Sequence, residues 1–411
     1  MGKGIPAELH FETLNKTLIK MPPAPNLVFT DIFASQQYES DRIRWMMEYG
    51  TSGMAPFVAP GAPSPSMGDS GYYAEGAASA AYWKEKVFLD EVLLNNLRDP
   101  VNPTQRVTAQ RQLAKKEAKL KARNSKRKEW MLAKAFFDNE ITYTREGGIK
   151  FTVTYGVPDH HKVTLTGNNV WWDDDTGAAG TTADPIKDIY DMKDLAAADG
   201  LTISDTFMNS TCLKYLLFNA SLQTLLQKST FGDGDLFARP AQVIGHLLGL
   251  GPLTVYDDMF EVAAFATADV AVGAATLTLE ETTDFEAGQT IRVYNMATPF
   301  DYVEYTSLSV DIAANTITLT TNLTTAVKSG RDRVVMRKKF ITDAKVGFFT
   351  RQIDGEAIAE FLEAPFGMGR YFGMYADTKD EWDPDGLWIR VQNKGLPVIT
   401  HPDGIWTLTI K

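Results

Sequence analysis

The stretch PTQRVTAQRQLAKKEAKLKARNSKRKEWMLAKAFFD, residues 103–138, decides how the rest of the chain is organised. No Gly or Pro interrupts it after its first residue, and a proline at the first helical position costs no hydrogen bond. The pattern predicts one helix of about 35 residues, roughly 50 Å long. Asn102 can cap its N-terminus, and Gln105 stands at the capping-box position.

The first six turns of this predicted helix are strongly basic. Between Arg106 and Lys128 there are ten Lys or Arg residues and one acid, Glu117. Leu113 and Leu120 form only a thin apolar stripe, so we expect a helix too polar to lie in a core. Three interpretations stay open: a solvated face, pairing with acidic neighbouring subunits, or contact with a polyanion. The candidate residues for such contacts are Arg111, Lys115, Lys116, Lys119, Arg123 and Lys126.

The stretch before this helix is poor in apolar bulk. Residues 50–81 read GTSGMAPFVAPGAPSPSMGDSGYYAEGAASAA, and 23 of these 32 residues are Gly, Ala, Pro or Ser. Such a segment cannot offset the entropy of its own ordering, and a loop of this length is usually functional or ordered by a partner. It is either a disordered surface loop or an arm laid over another subunit. The candidate anchors of such an arm are Phe57, Tyr72, Tyr73 and Trp83.

Composition excludes several classes of protein. The 411 residues are 44% hydrophobic and 23% charged, typical of a globular protein with two or three cores. The net charge of −11 argues against broad binding of polyanions, so any contact with nucleic acid must use a local basic patch. Cys212 is the only cysteine, which rules out an intramolecular disulfide. There is no signal-peptide pattern at the start and no apolar run of about 20 residues, so we expect production in a reducing cytoplasm and no membrane partner.

The remaining segments predict a mixed α+β chain. We expect an irregular leader over 1–49, followed after the long helix by a β-hairpin over 149–166 and a loop over 171–184. Asp184 and Ser204 are predicted helix caps, and Asp403-Gly404 is a predicted turn before a final strand. Further predictions are helices at 185–198, 204–218 and 240–249, a strand at 253–257, and about five Thr-rich strands over 262–338.

No motif for catalysis stands out. The chain lacks a phosphate-binding loop and a strand-linked G-x-G-x-x-G, and no Ser/His/Asp or Cys/His pattern has a recognisable signature. The adjacent pair His160-His161 lies in a predicted turn, where neighbouring side chains diverge, and Asp173-Asp174-Asp175 lacks the spacing of a calcium loop. We therefore predict no catalytic residue, no cofactor and no metal site, and a protein that is not an enzyme.

The order of these parts resembles the major capsid proteins of tailed phages, specifically the lambda-type phage major capsid protein E family. The resemblance is carried by LVFTDIF at 27–33, MAPFV at 54–58 and VFLDEVLLNNLRDP at 87–100. In the second half it is carried by ISDTFMNSTCLKYLL and by LPVITHPDGIWTLTI at 396–410. It spans roughly 10–260 and 340–411, and the β-rich segment 262–338 departs from the simplest family members.

The resemblance implies an α+β, Hong-Kong-97-type capsid fold. Its parts would be an N-terminal arm (1–49), an extended loop (50–90), a spine helix at 103–138 within a spine and peripheral region (91–184 with strand 396–411), an axial domain (185–261 and 339–395) and an inserted small all-β module (262–338). The implied function is a structural head protein that self-assembles into hexamers and pentamers of an icosahedral shell around double-stranded DNA. The implied partners are further copies of the chain, a scaffold, a portal, a decoration protein and non-specifically packaged DNA, and the implied location is the virion after assembly in the host cytoplasm.

Two alternatives stay open at this point. A cellular nanocompartment shell of the same fold would share the assembly features and would need an internal surface for cargo. A carbohydrate-active enzyme or sugar-binding protein would use the Thr-rich β-module as its binding domain.

Overall fold

The structure is a computed structural model that describes residues 7–22, 27–50, 57–58, 61, 63, 72–98, 103–145, 149–166, 171–172, 183–228, 239–297, 301–383 and 385–411. These residues form two compact units. The first comprises 1–139, 154–256 and 343–411, and the second comprises 140–153 and 257–342.

Eight α-helices lie in the described residues, seven of them between 5 and 14 residues long and one of 35. They are α1 (Phe11–Lys20), α2 (Val28–Ile32), α3 (Glu91–Arg98), α4 (Pro103–Phe137), α5 (Pro185–Ala198), α6 (Ser210–Phe218), α7 (Ala220–Lys228) and α8 (Pro240–Leu248).

The strands of the described residues divide between the two units. They are β1 (Ala34–Gln37), β2 (Arg42–Tyr49), β3 (Tyr72–Ser79), β4 (Ala81–Asp90), β5 (Glu140–Arg145), β6 (Ile149–Thr154), β7 (Lys162–Thr164), β8 (Asp205–Met208), β9 (Leu253–Val255), β10 (Met259–Phe265), β11 (Thr276–Thr278), β12 (Thr290–Tyr294), β13 (Tyr302–Asp311), β14 (Thr316–Leu319), β15 (Arg333–Lys339), β16 (Lys345–Phe349), β17 (Gln352–Ile353), β18 (Glu356–Ala357), β19 (Ala359–Glu363), β20 (Tyr375–Glu381), β21 (Gly386–Ile399) and β22 (Ile405–Thr409).

Two five-stranded sheets form the frame of the first unit. In one, the long strand β21 pairs with β4 along one edge and with β20 and β19 along the other, and β1 adds in parallel to β19. The other sheet has the order β7-β22-β16-β8-β9. A β2–β3 hairpin and the two-residue strands β17 and β18 complete the strands of this unit.

Helix α4 contacts both sheets of the first unit. Along its length it packs against α3, β4 and β21, and near its end it packs against β16. At that end the chain of β16 comes very close, because a Cβ atom added to Gly347 would lie 2.4 Å from Phe136 and 2.8 Å from Phe137. An aromatic cluster follows, in which the ring of Phe29 lies 5.7 Å from that of Phe136 and 5.5 Å from that of Phe207. An aromatic core therefore forms around the C-terminal end of α4, and a second apolar cluster, which includes Leu113 and Leu120, lies along the earlier part of the helix.

The second unit is a six-stranded antiparallel sheet with its own core, plus the β5–β6 pair. The order is β10-β15-β12-β13-β14-β11. Its buried apolar side chains include Leu277, Ile291, Ile317, Val334 and Met336. The chain enters on β10 and leaves on β15, and these strands pair from Met259 opposite Lys339 to Phe265 opposite Arg333.

Local sequence signals are confirmed where they involve neighbouring residues. The long helix spans Pro103–Phe137. Asp184 caps α5 by accepting the N–H of Lys187, and Gly249 ends α8 in the left-handed conformation at φ 60°. The Thr-rich segment is a β-structure of six strands rather than five, and the final strand follows a 3₁₀ turn at Pro402–Gly404. Asn102 and residues 173–182 of the predicted loop lie outside the described residues.

Several predictions are wrong. The leader is not irregular, because it contains α1, α2, β1 and β2. The hairpin over 149–166 does not form: β6 pairs with β5, and β7 pairs in parallel with β22. Ser204 does not cap a helix, because strand β8 comes first and Asn209 caps α6 by accepting the N–H of Cys212. Among the described residues no helix combines the length and the apolar character needed to cross a membrane.

Candidate assembly surfaces

One face of α4 is buried from Ala109 to the end of the helix. Its buried side chains recur at helical spacing and include Ala109, Leu113, Leu120, Leu132 and Phe136. The expectation that the helix is too polar for a core is wrong, because polar residues take part in this buried face. These polar residues are Glu117, Asn124, Lys128 and Glu129.

Glu117 lies on the buried face between Leu113 and Leu120. Only 4% of the residue is exposed, and removal from water raises the pKa of its carboxyl to about 7. No hydrogen bond to the Glu117 carboxylate is found among the described residues. The cause of the shift is therefore desolvation, which disfavours the charged form of a carboxyl group.

Glu129 ties the leader to α4. Its Oε1 accepts the backbone N–H of Phe29 at 2.8 Å and the hydroxyl of Tyr256 at 3.1 Å. Its Oε2 accepts the N–H and the hydroxyl of Thr30 at 2.9 and 2.7 Å. The carboxylate thus satisfies two free N–H groups at the start of α2. Burial raises the pKa of Glu129 even though these four hydrogen bonds oppose the rise.

Lys128 makes a second tie from the same turn of the helix. Its ammonium donates to Oγ of Ser35 at 2.7 Å and lies 4.1 Å from the ring centroid of Phe361. Burial lowers the pKa of Lys128, and the nearby carboxylates of Glu363 and Glu129 oppose that shift. Adjacent residues of α4 therefore hold the leader at α2 and at β1.

The predicted basic residues divide into two groups. Lys116 donates to the carbonyl of Phe88 at 2.9 Å, and Arg123 pairs with Glu85 at 2.7 Å. Lys126 is half-buried. Arg111, Lys115 and Lys119 are exposed and follow one another at intervals of four residues, so they form a row on the outer face of α4. We call these three residues the basic row; none of them makes an ion pair with another described residue.

The β2–β3 hairpin is fixed at the end where β2 leads into the connecting loop. The N–H of Glu48 donates to the carbonyl of Thr400 at 2.8 Å, and the hydroxyl of Tyr49 donates to the carbonyl of Gly156 at the same distance. The N–H of Gly50 donates to the carboxylate of Asp403 at 2.7 Å. On the inner side of β2, Trp45 is buried beside Tyr155, with ring centroids 6.3 Å apart.

The predicted aromatic anchors lie in different settings. The side chain of Phe57 is fully exposed, and that of Tyr72 is 71% exposed beside Tyr49. Tyr73 is exposed and donates from its hydroxyl to Glu48 at 3.2 Å. Trp83 differs, because it is half-buried on β4 with its ring 6.5 Å from that of Phe361. Residues 51–56, 59–60, 62 and 64–71 of the predicted arm lie outside the described residues.

A family model decides between the hypotheses. The model of the phage major capsid protein E family matches residues 11–297, more than half of the chain. The chain belongs to this family. It is a major capsid protein of a phage head, and its place is the capsid of the virion. No curated protein matches the chain.

One solved structure with a TM-score above 0.5 supports the fold of this capsid protein, and two others are similar along most of their length. The putative capsid protein of a prophage of E. coli CFT073 is 14% identical, with 97% of this chain and 96% of that chain covered and a TM-score of 0.51. A phage-related protein from Bordetella bronchiseptica RB50 is 9% identical over 97% and 96% of the two chains, with a TM-score of 0.48. The capsid protein of cyanophage P-SCSP1u is 10% identical over 95% and 89%, with a TM-score of 0.42. The chain has the mixed α+β, Hong-Kong-97-type capsid fold.

Family membership also answers the question of catalysis. The family is one of structural proteins, so the prediction that the capsid protein is not an enzyme is confirmed. The hypothesis of a sugar-processing enzyme is therefore set aside, and the family favours a virion shell over a cellular nanocompartment.

Two features of the capsid protein were missed, and the sequence carried a signal for only one of them. Strand β2 alternates between exposed Arg42 and Arg44 and buried Ile43 and Trp45, which is the period of a half-buried strand. The tie at Glu129 had no such signal. Its partners Thr30 and Tyr256 are about a hundred or more residues away along the chain.

Glu117→Gln should stabilise the capsid protein at alkaline pH. A carboxyl whose pKa is higher in the folded protein than in the unfolded chain costs stability as pH rises from about 4.5 through about 7. The glutamine variant lacks this loss, so its free energy of unfolding should exceed that of the wild type by about 3 kcal/mol at pH 8 and should match it near pH 4.5. Urea unfolding of unassembled subunits at both pH values measures the difference, with the exposed Glu12→Gln as the matched control. A constant difference between the two pH values would contradict the prediction.

Glu129→Gln should have the opposite effect on the same helix. An amide nitrogen at either oxygen position would face two donors, so at least one N–H at the start of α2 would lose its acceptor. We expect a loss of about 2 kcal/mol in the free energy of unfolding at pH 8. Amide hydrogen exchange should show faster exchange at Phe29 and Thr30, whereas Glu117→Gln should leave these two amides unchanged. Unchanged protection of both amides in Glu129→Gln would show that the carboxylate does not hold α2.

Proposed function

We propose that the capsid protein assembles into hexamers and pentamers that close into an icosahedral shell around double-stranded DNA. The observation that carries this proposal is the exposed aromatic surface on β3, where Tyr72 is 71% and Tyr73 44% exposed among the described residues. Large exposed apolar side chains that adjoin one another mark sites of protein interaction. A closed shell of identical chains needs such interfaces between different surfaces of neighbouring subunits.

We propose the following division of the chain. Residues 1–49 form an N-terminal arm and 50–90 an extended loop, and the β2–β3 hairpin joins the two. Residues 91–184 with strand 396–411 form the spine and peripheral region, and 185–261 with 339–395 form the axial domain. A scaffold, a portal and a decoration protein are the further partners that we infer for assembly.

We propose that residues 262–338 form a module inserted into the capsid fold. Two observations support the proposal: the six-stranded sheet has its own buried core, and its first and last strands, β10 and β15, are neighbours. A domain whose ends lie side by side can be inserted into a loop without disturbing its host. The family match extends to residue 297, so part of this sheet belongs to the region shared with the family.

The arm hypothesis is best tested at its exposed aromatic residues. Replacing Phe57, Tyr72 and Tyr73 together by Ser should raise the subunit concentration required for shell formation at least about tenfold, which corresponds to about 1.4 kcal/mol. The matched control replaces the same residues by Leu, Phe and Phe and keeps the apolar surface. Size-exclusion chromatography and negative-stain microscopy measure assembly. Normal shells from the serine variant would refute the proposed role of these three side chains. Trp83, which packs against Phe361, is proposed to fix the base of the arm.

The basic row is proposed to face either a neighbouring subunit or the packaged DNA. Changing Arg111, Lys115 and Lys119 to Glu should abolish shells in the first case. In the second case shells form but lose nuclease-protected DNA, because phosphate contacts depend on positive charge. Reversal of the exposed Lys16, Lys20 and Lys214 changes the net charge equally and serves as the control. Wild-type assembly and packaging in the row variant would show that the row is a solvated face.

A further inference from the structure

Two adjacent histidines converge on one carboxylate in the first unit. They lie in the 3₁₀ turn Asp159–His161, and the ring centroids of His160 and His161 are 4.3 Å apart. Asp199, which follows α5, places Oδ2 2.9 Å from Nε2 of His161 and Oδ1 3.8 Å from Nε2 of His160. The expected divergence of the two side chains is therefore wrong. Within the described part of the chain, these three residues are the one group of His, Cys, Asp and Glu whose ligand atoms could share a metal ion.

Each of the two ring nitrogens of His161 faces an oxygen that accepts hydrogen bonds. Its Nδ1 lies 3.2 Å from the carbonyl oxygen of Ile405, which can only accept. Its Nε2 faces the carboxylate of Asp199, which also only accepts when ionised. A neutral imidazole has a single N–H, so it can donate to only one of these two acceptors. A metal ion or a second proton between Nε2 and the carboxylate would let both ring nitrogens make a favourable contact.

The position of His161 favours a metal ion over a second proton. The side chain is 1% exposed, and its ring lies 5.2 Å from that of Trp406 with an interplanar angle of 30°. A buried imidazolium is costly unless its charge is well compensated. A protonated His161 would also place a positive charge beside the ring of His160. A ring nitrogen of His160 lies toward the same carboxylate, as a second metal ligand would.

We propose that His160, His161 and Asp199 bind a divalent transition metal ion of the Zn²⁺ type. Two imidazoles and a carboxylate are typical ligands of this ion, and a bond length of about 2.0–2.2 Å separates tetrahedral ligand atoms by about 3.3 Å. Nε2 of His161 lies 2.9 Å from Oδ2 of the carboxylate and Nε2 of His160 lies 3.8 Å from Oδ1. One ligand atom of each of the three residues lies within 4.8 Å of the other two. In such sites a ligating histidine usually donates its other N–H to a backbone carbonyl, and Nδ1 of His161 lies 3.2 Å from the carbonyl oxygen of Ile405, where it can do so.

The site would connect three parts of the chain that are distant in sequence. His160 and His161 precede β7, Asp199 follows α5, and Ile405 begins the final strand β22. Three protein ligands leave a fourth position of the ion open, and the exposed side of His160 lies toward solvent. The bound ion would act as a cross-link that a chain with a single cysteine cannot make with a disulfide.

The test is a calorimetric titration of Zn²⁺ into unassembled subunits treated with a chelator. We expect one Zn²⁺ per subunit and a higher melting temperature in its presence, because a ligand that binds the folded state stabilises it. His160→Ala and Asp199→Asn should each weaken binding by at least about tenfold. His160 is exposed, so its replacement leaves the folded core intact.

His10→Ala is the matched control, since His10 is exposed and its side chain makes no capping hydrogen bond. Mg²⁺ is the control ion, because imidazole ligands favour transition metals.

Two results would overturn the proposal. One is the absence of saturable Zn²⁺ binding to the wild type, which would assign the pair of His161 and Asp199 to a buried ion pair. The other is equal binding by the wild type, His160→Ala and His10→Ala, which would assign the bound ion to another part of the chain. Neither result bears on shell assembly, which is measured separately.

Discussion

The buried carboxylate of Glu129 is the interaction on which the first unit depends. It stands on the longest helix and accepts four hydrogen bonds, two of them from the free N–H groups that begin α2. Because a buried carboxylate is costly without partners, the leader must dock at this place for the helix to be stable. The same docking brings Phe29 into the aromatic cluster of Phe136 and Phe207. One polar contact thus fixes the position of an apolar core.

The two long faces of α4 have different surroundings. The overall composition of the helix does not show this difference. The inner face carries Glu117, Lys128 and Glu129 among apolar residues, and each of the three has a shifted pKa because of burial. The outer face carries the exposed basic row. Averaged over all its residues, the helix is polar. This average led to the wrong expectation that the helix lies outside the core. A few buried charges with defined partners position a helix in a way that a fully apolar face cannot, since apolar contacts have no direction.

The sequence predicted the features that depend on residues close together in the chain. It did not predict the features that depend on residues far apart in the chain. The cap at Asp184, the stop at Gly249 and the alternation of the Thr-rich strands are local, so neighbouring residues suffice to predict them. The parallel pairing of β7 with β22 joins residues about 245 positions apart, such as Lys162 and Thr407, and no local pattern encodes it. The convergence of His160, His161 and Asp199 depends on that same pairing and on the end of α5. The family resemblance supplied the fold, whereas the candidate sites needed the side-chain geometry.

A hairpin of two strands is marginal by itself in water, and β2–β3 is held at one end. Glu48, Tyr49 and Gly50 bind the carbonyls of Thr400 and Gly156 and the carboxylate of Asp403, so the end of the hairpin that leads into the loop has a fixed position. Among the described strands β3 pairs only with β2, which leaves its other edge open beside Tyr72. In an isolated subunit an open edge with exposed aromatic side chains is a liability. The same surface held in a fixed direction lowers the ordering cost of an interface. The proposed contact with a neighbouring subunit would use this combination of an open edge and a fixed position.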